Sequence, residues 1–304
     1  MNTLHLVVLR YGKLGDVVMT VPALRWAAQH PGLRVTLVTD GHYVEVFGAL
    51  LPEIDVSSKM PRCDLVLDLH RVRRSRIARR GLSWVGVGKE DVRRRLLIHL
   101  PSLGFEPKYS WPERHLRAMN KALLQLGIEP VERPDGIPRL HSSQAAVQNR
   151  LGLVLGAGHP TKRWPVHHWE QLASQWRGEV IAFVGPGEEG LAEEAGLVSW
   201  PDGSLLGLVE GLSTCSVVVS GDTGPLHLAA ALGRQVVGLF GPTPSQAGFW
   251  VWDQQGTLLR RDELGCSPCH LHGQSECPKK HHSCLSELDP SAVLSAANEL
   301  RPAL

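Results

Sequence analysis

The sequence predicts an α/β protein of two Rossmann-like domains facing a central cleft. Three observations predict it. Short apolar runs alternate with helical segments in two separate series, the pattern of parallel sheets covered by helices on both faces. Prolines and acidic residues crowd the stretch between the two series. Three of the strands also run into glycine-containing loops that lead at once into a helix, a layout that turns open helix N–H groups out of the carboxyl edge of a sheet.

Composition agrees with this class. The 304 residues suit two domains of ordinary size or one large one, and 43% hydrophobic with 20% charged residues describes a globular protein with a substantial core. A net charge of +2 gives no whole-molecule field for nucleic acid, so nucleic acid is not expected as a partner. The charge is unevenly placed: from Arg71 to Arg95 there are nine arginines and one lysine against one Glu and one Asp. That stretch reads either as a solvated basic face or as an anion-binding surface. The apolar run Leu4–Leu9 is followed at once by Arg10, Lys13 and Asp16, which marks a strand and not a secretory signal. No stretch approaches the roughly 18 apolar residues of a membrane span. A cytoplasmic protein is expected, with any membrane association peripheral.

In the first series, strand Leu4–Arg10 leads to a helix from Asp16 to about Gln29, then strand Val35–Asp40 and a helix around Tyr43–Leu51. Strands follow at Leu65–Leu69 and Trp84–Val87. A longer helix over Pro112–Leu126 places Leu116, Met119, Leu123, Leu124 and Leu126 on its apolar positions and stops at Gly127. Glu129–Pro138 holds three prolines and three acidic residues and reads as a linker, which closes a first domain at residues 1–140. The second series has strands Leu151–Leu155, Val180–Val184, Val217–Ser220 and Val236–Phe240. Its helices lie near Val166–Trp176, Glu188–Ala195, Leu205–Thr214 and Leu226–Leu232, giving a second domain at 141–288. A last helix, Ser291–Arg301, falls in residues 289–304. No short-period repeat is visible, which disfavours a solenoid.

The strand ends carry the motifs. Tyr11-Gly12-Lys13-Leu14-Gly15-Asp16 follows the first strand, and Asp68-Leu69-His70 ends another. Gly156 to Pro165 contains two glycines and the pair Lys162-Arg163. Gly221-Asp222-Thr223-Gly224-Pro225-Leu226-His227 joins a β-branched run to an Ala/Leu helix, and Gly241-Pro242-Thr243-Pro244 closes the last strand. In order and spacing the set resembles the inverting glycosyltransferases typified by the lipopolysaccharide heptosyltransferases, family 9. The pieces that match are Arg10 to Asp16, Asp68–His70, Lys162 with Trp164 and Pro165, the D-TG-x-x-H segment, and GPT. The resemblance spans almost the whole chain. It implies a GT-B-like fold, an ADP-heptose donor and a lipid A–Kdo core acceptor at the cytoplasmic surface of the inner membrane. In such folds the final helix often returns to the first domain.

An inverting displacement needs a group to accept the acceptor hydroxyl's proton. Asp16, at a helix start where the dipole keeps a carboxylate ionised, sits where the family's catalytic aspartate falls; its alternative reading is a helix cap. Lys162 is the candidate for the diphosphate, where a cation stabilises the leaving group as its charge grows. Arg163 reads as a surface residue, and Thr161 as a further phosphate ligand. The resemblance implies that the loop amides at 223–226 receive the other side of the diphosphate, and because Pro225 has no N–H those donors are Thr223, Gly224 and Leu226. Asp222 would orient sugar hydroxyls or fix its loop, and His227 is either a ligand or a packed core residue. Glu188 suits ribose hydroxyls, with a dipole-favoured glutamate as its alternative. No DXD-type clamp is apparent, so no cofactor is expected for catalysis. For an acceptor bearing carboxylates and phosphates, Lys13, His70, Arg71, Arg73 and Arg74 are the candidates.

Cys266, Cys269, Cys277 and Cys284 lie among four histidines and away from the predicted site loops. A structural zinc, a disulfide or redox pair, and unligated thiols all remain open readings. Cys63 and Cys215 read as packing residues. Other functions compete with the leading one: a family member using another nucleotide sugar or acceptor, an idle sugar-binding relative, and a nicotinamide-dependent dehydrogenase. Against the last, YGKLGD stands where G-x-G-x-x-G would be required.

Overall fold

The structure is a computed structural model, and its described residues are 3–88, 93, 96–98, 108–130, 139–142, 144–248, 250 and 256–301. They form two compact units, Met1–Lys89 with Tyr109–His141, and Glu90–Lys108 with Ser142–Leu304. Residues 131–138 of the expected linker, and the arginines at 94 and 95, lie outside the described residues.

The first unit holds a five-stranded parallel sheet in the order β3-β2-β1-β4-β5. Its strands are β1 (Leu4–Leu9), β2 (Leu33–Val38), β3 (Asp55–Ser57), β4 (Leu65–Asp68) and β5 (Trp84–Gly86). Leu6, Val7, Val8 and Leu9 are wholly buried, as a strand covered on both faces requires. The single helix expected after β1 is two, α1 (Leu14–Val18) and α2 (Val21–Ala28), broken around Met19–Thr20 just ahead of Pro22. Helices α3 (Gly41–Leu50) and α4 (Arg73–Ala78) follow β2 and β4. Helix α5 (Trp111–Gln125) is started by a capping box: Glu113 Oε2 accepts from Ser110 N at 2.8 Å, and Ser110 Oγ from Glu113 N at 3.5 Å. It packs on α2, β4 and β5 and buries Leu116, Met119 and Leu123, whereas Leu124, expected on the apolar face, is exposed.

The second unit's sheet runs β10-β9-β8-β6-β7, again all parallel. Its strands are β6 (Leu151–Val154), β7 (Val180–Phe183), β8 (Val217–Gly221), β9 (Gln235–Leu239) and β10 (Gly256–Leu259). Helices α6 (Val166–Gln175), α7 (Glu189–Glu194), α8 (Leu205–Thr214) and α9 (Gly224–Ala231) connect them, and α10 (Ser283–Ser286) and α11 (Pro290–Glu299) complete the chain. Helix α11 belongs to this unit: its buried Val293, Ala296 and Ala297 join the unit's core, and it packs on α6, β8 and β9. Among the described residues no helix is long and apolar enough to cross a membrane.

Each sheet reverses its winding once, between β1 and β4 in the first unit and between β6 and β8 in the second. Ligands of open α/β sheets bind outside the carboxyl ends of the strands at such points. All four strands that flank the two reversals end in the motifs singled out from the sequence.

Candidate active site

At the first reversal, β1 delivers Arg10 and the Gly12–Asp16 loop. Asp16 is the third residue of α1, and its Oδ2 accepts from Lys13 N at 3.2 Å and pairs with Arg10 Nη2 at 2.7 Å. Arg10 itself is buried, with Nη1 donating to Leu69 O at 2.7 Å. Burial pushes the Asp16 carboxyl up, but the Arg10 guanidinium, by charge and hydrogen bond, together with the Lys13 amide, holds it below the ordinary aspartate value. Asp16 is thus an ionised carboxylate with about a third of its side chain open to solvent. Beneath it His115 of α5 is wholly buried, its Nδ1 donating to Met19 O at 3.0 Å. Burial first, then Arg10, push the imidazole down to about 4, so it is neutral. Nothing in the local sequence marks His115, because its proximity to Asp16 arises only when α5 packs beside the β1 end.

From β4, Asp68 turns out to be the anchor of its loop. Fully buried, its Oδ1 accepts from His70 N at 3.1 Å and Arg71 N at 2.7 Å, and its Oδ2 from Ser75 Oγ and Arg79 Nε at 2.9 Å each. The candidate acceptor residues divide accordingly. His70 Nδ1 accepts from Tyr11 N at 3.2 Å, and Arg71 Nη1 donates to Val87 O at 2.9 Å. Arg74 pairs with Asp40 and lies over the Tyr11 ring, 3.9 Å from its centroid. Arg73 and Lys13 are exposed. Arg71 and Arg74 are therefore partly committed to the fold, and Arg73 and Lys13 present the more open cations.

At the second reversal, Lys162 and Asp222 meet, with Nζ 2.9 Å from Oδ2 and the two side chains 14% and 10% exposed. The approach needs Gly221, where a Cβ would stand 2.9 Å from Lys162 O. Thr223 is the extended residue before α9, and its hydroxyl lies 3.0 Å from Ser220 Oγ. Gly224 and Leu226 fall in the first turn of α9, where amides have no intrahelical partner. His227 is buried in the same helix, 7% exposed.

Two expectations change here. Thr161 is buried, and its hydroxyl donates to Gln274 O and accepts from Gln274 N at 2.8 Å each. Its one proton is spent inside the protein, so it holds the loop and does not donate to a phosphate. Arg163 is not a plain surface residue: its Nη2 pairs with Glu188 Oε1 at 2.6 Å and donates to Ala157 O at 3.1 Å. Glu188 also accepts from Ala157 N at 3.2 Å and Gly185 N at 3.1 Å, which fixes the carboxylate across the ends of β6 and β7.

The cysteine segment is likewise not remote. Cys269 N and His270 N donate to Pro242 O at 2.9 and 3.0 Å, and Ser267 Oγ to Gly241 O at 2.7 Å. All six cysteines are free. Cys215 is buried as expected, whereas Cys63 is half-buried. Burial and the neighbouring cysteines push the Cys284 thiol up to about 12, while Cys277, which burial would raise, is lowered by four backbone amides from Lys279 to His282. Among the described residues no three His, Cys, Asp or Glu side chains are grouped to hold a metal ion.

Residues 133–280 match the model of glycosyltransferase family 9 (heptosyltransferase). The chain is 29% identical over 165 residues to lipooligosaccharide heptosyltransferase 2 of Campylobacter jejuni, covering 49% of this chain and 50% of that protein. It is 26% identical over 308 residues to lipopolysaccharide heptosyltransferase 1 of Pseudomonas aeruginosa, covering 88% and 86%. Against the Campylobacter and Haemophilus proteins the match spans about half the length of each. The fold is that of the Escherichia coli ADP-heptose LPS heptosyltransferase II (TM-score 0.72, 18% identity, 98% of both chains). A second E. coli heptosyltransferase, solved with ADP, superposes with TM-score 0.71 at 20% identity over 98% of this chain and 100% of that one. These neighbours confirm the GT-B-like pattern of two Rossmann-type sheets. Residues 133–280 thus resemble glycosyltransferase family 9 (heptosyltransferase).

Proposed function

We propose that the chain is an inverting heptosyltransferase that moves a heptose from ADP-heptose to a Kdo or heptose hydroxyl of the lipopolysaccharide inner core. The observation that carries this reading is the meeting of Lys162 and Asp222 beside the α9 start at the second sheet's reversal. An incoming diphosphate takes the Lys162 ammonium and the open amides of Thr223, Gly224 and Leu226, and Asp222 is then left to accept hydrogen bonds from sugar hydroxyls. Glu188 accepts from the ribose through Oε2, which carries fewer protein bonds than Oε1.

In the transfer, the acceptor hydroxyl attacks the anomeric carbon as the bond to ADP breaks, and the electron pair of that bond passes to the diphosphate beside Lys162. Asp16 accepts the hydroxyl proton. With its carboxyl held below the ordinary value by Arg10, Asp16 is a weak base, suited to receive the proton late, as the new C–O bond forms and the hydroxyl acidifies. Arg73 and Lys13 meet the anionic acceptor. Exposed Ile77, Leu82 and Trp84 beside these arginines support a peripheral seat on an anionic membrane.

A thermal-shift screen with ADP-heptose, other nucleotide sugars and NAD(P)H, followed by a transfer assay with the ligand that stabilises, tests the reading. Stabilisation by ADP-heptose with transfer is expected. Stabilisation by a different nucleotide sugar would reassign the donor, and stabilisation by NAD(P)H alone would reject the class.

A further inference from the structure

We propose that Gln274 and His282, in the cysteine-rich segment, are positioning residues for the diphosphate lysine and set donor affinity through Thr161. The inference rests on the reading that Lys162 binds the diphosphate. Thr161 is held on both of its peptide planes. Its N–H donates to Gln274 O at 3.4 Å, and its carbonyl, in the plane that carries the Lys162 nitrogen, accepts from His282 Nε2 at 2.8 Å. A carbonyl cannot donate, so Nε2 carries the proton. The Thr161 hydroxyl adds the reciprocal pair with Gln274 described above.

Lys162 is the last residue of the single 3-10 turn Pro160–Lys162, so rotation of that plane swings its side chain. Gly273 lies directly on the stem: a Cβ there would stand 2.8 Å from both Lys162 Cγ and Cδ. The partners are 113 and 121 residues from Thr161 in the chain, and the same segment is tied at its other end to Gly241 and Pro242 after β9. The cysteine-rich segment is thus a strap from the β9 loop to the Lys162 turn, and what it fixes is the direction of one ammonium.

Calorimetric titration of the full chain with ADP and with adenosine tests this. His282 has a left-handed backbone, φ 53, which asparagine tolerates. His282→Asn keeps that conformation but cannot reach Thr161 O, whereas the amide N–H of His282→Gln stands where Nε2 stood. Loss of one net hydrogen bond corresponds to roughly threefold to tenfold. His282→Asn and Thr161→Val should weaken ADP by that factor and leave adenosine unchanged. His282→Gln should restore ADP binding, and His282→Asn should add no loss on a Lys162→Ala background. The proposal is overturned if His282→Asn leaves ADP affinity intact while Lys162→Ala lowers it, or if it weakens ADP and adenosine alike. An unchanged ADP affinity in Lys162→Ala would reject the reading of the lysine itself, and the proposal with it.

Discussion

The Lys162 ammonium and the Asp222 carboxylate stand 2.9 Å apart, both mostly withdrawn from water, at the point where the second sheet reverses its winding. Removing one member of such a pair leaves a poorly solvated charge, which is costlier than the pair is stabilising. Lys162→Ala should therefore lower the melting temperature, and Asp222→Asn added to it should recover part of the loss. A double-mutant cycle should read a coupling of about 1–3 kcal/mol. Strictly additive losses would mean that the two groups act independently. In the same titrations Lys162→Ala should weaken ADP more than adenosine, and equal losses would move the lysine from the phosphates to the nucleoside.

What could be read from the sequence and what could not divides along one physical line. Strands β1, β6, β8 and β9 were legible because each is buried on both faces and so is a continuous apolar run. The edge strands β3 and β10, partly buried, were missed, whereas the equally exposed edge strand β5 was read, and α4 was missed because its Arg73-Arg74-Ser75-Arg76 start has no apolar period. Asp16, Lys162, Asp222 and Glu188 were legible as residues because each closes a strand-loop-helix unit. Their partners were not. Arg10, just after β1, meets Asp16 only across the fold of the intervening loop, and Arg163 with Glu188 and Gln274 with Thr161 pair only once distant segments are packed. The cysteine spacing suggested a metal, but it carried no sign of the backbone bonds that seat that segment on the Lys162 turn.

If Asp16 is the general base, Asp16→Asn and Asp16→Ala should keep ADP affinity and lower single-turnover transfer by about two orders of magnitude or more. Near-normal transfer with either substitution would return Asp16 to its structural task of tying the Lys13 amide.

Arg10→Gln separates the carboxylate from its partner. With Arg10 in place, Asp16 stays ionised below the ordinary aspartate range. The acid limb of kcat/KM should accordingly lie below the ordinary aspartate range. Without the guanidinium, burial is the largest remaining influence and raises the carboxyl, so the limb should move to higher pH. The stability contribution has the same sign. A carboxyl depressed on folding stabilises fully above its unfolded value and loses that contribution as pH falls through its folded value. Arg10→Gln should thus narrow the acid tolerance measured by thermal melts. An acid limb that does not move would assign the activity profile to another group.

The basic run can be probed more cleanly at Arg73 than at Arg74. Reversing Arg74 also breaks its pairing with Asp40 and its stacking on Tyr11. Arg73→Glu touches only an exposed cation, so it should raise the acceptor KM, leave donor affinity unchanged, and do so less at high salt, where exposed charges are screened beyond about 8–10 Å. An unchanged acceptor KM at both salt concentrations would make this face a solvated one.

Gly156 gives a test of the ribose assignment that does not touch the lysine. A Cβ at Gly156 would stand 1.7 Å from Glu188 Oε2 and 2.4 Å from Cδ, so Gly156→Ala must expel the carboxylate from its seat. The bonds lost would be those to Ala157 N, Gly185 N and Arg163. Because Glu188 is assigned to the ribose, adenosine and ADP should weaken together, by about tenfold or more for a hydrogen bond to a charged group, in contrast to the selective loss in Lys162→Ala. Glu188→Ala removes the obstacle first, and the Gly156→Ala, Glu188→Ala double variant should then bind adenosine as the Glu188→Ala single variant does. If Gly156→Ala alone binds adenosine normally, Glu188 is not a ribose ligand. If the double variant binds more weakly than Glu188→Ala, the added methyl meets the nucleoside itself, and the glycine is required for the close approach of ligand to backbone and not for the seat of the glutamate.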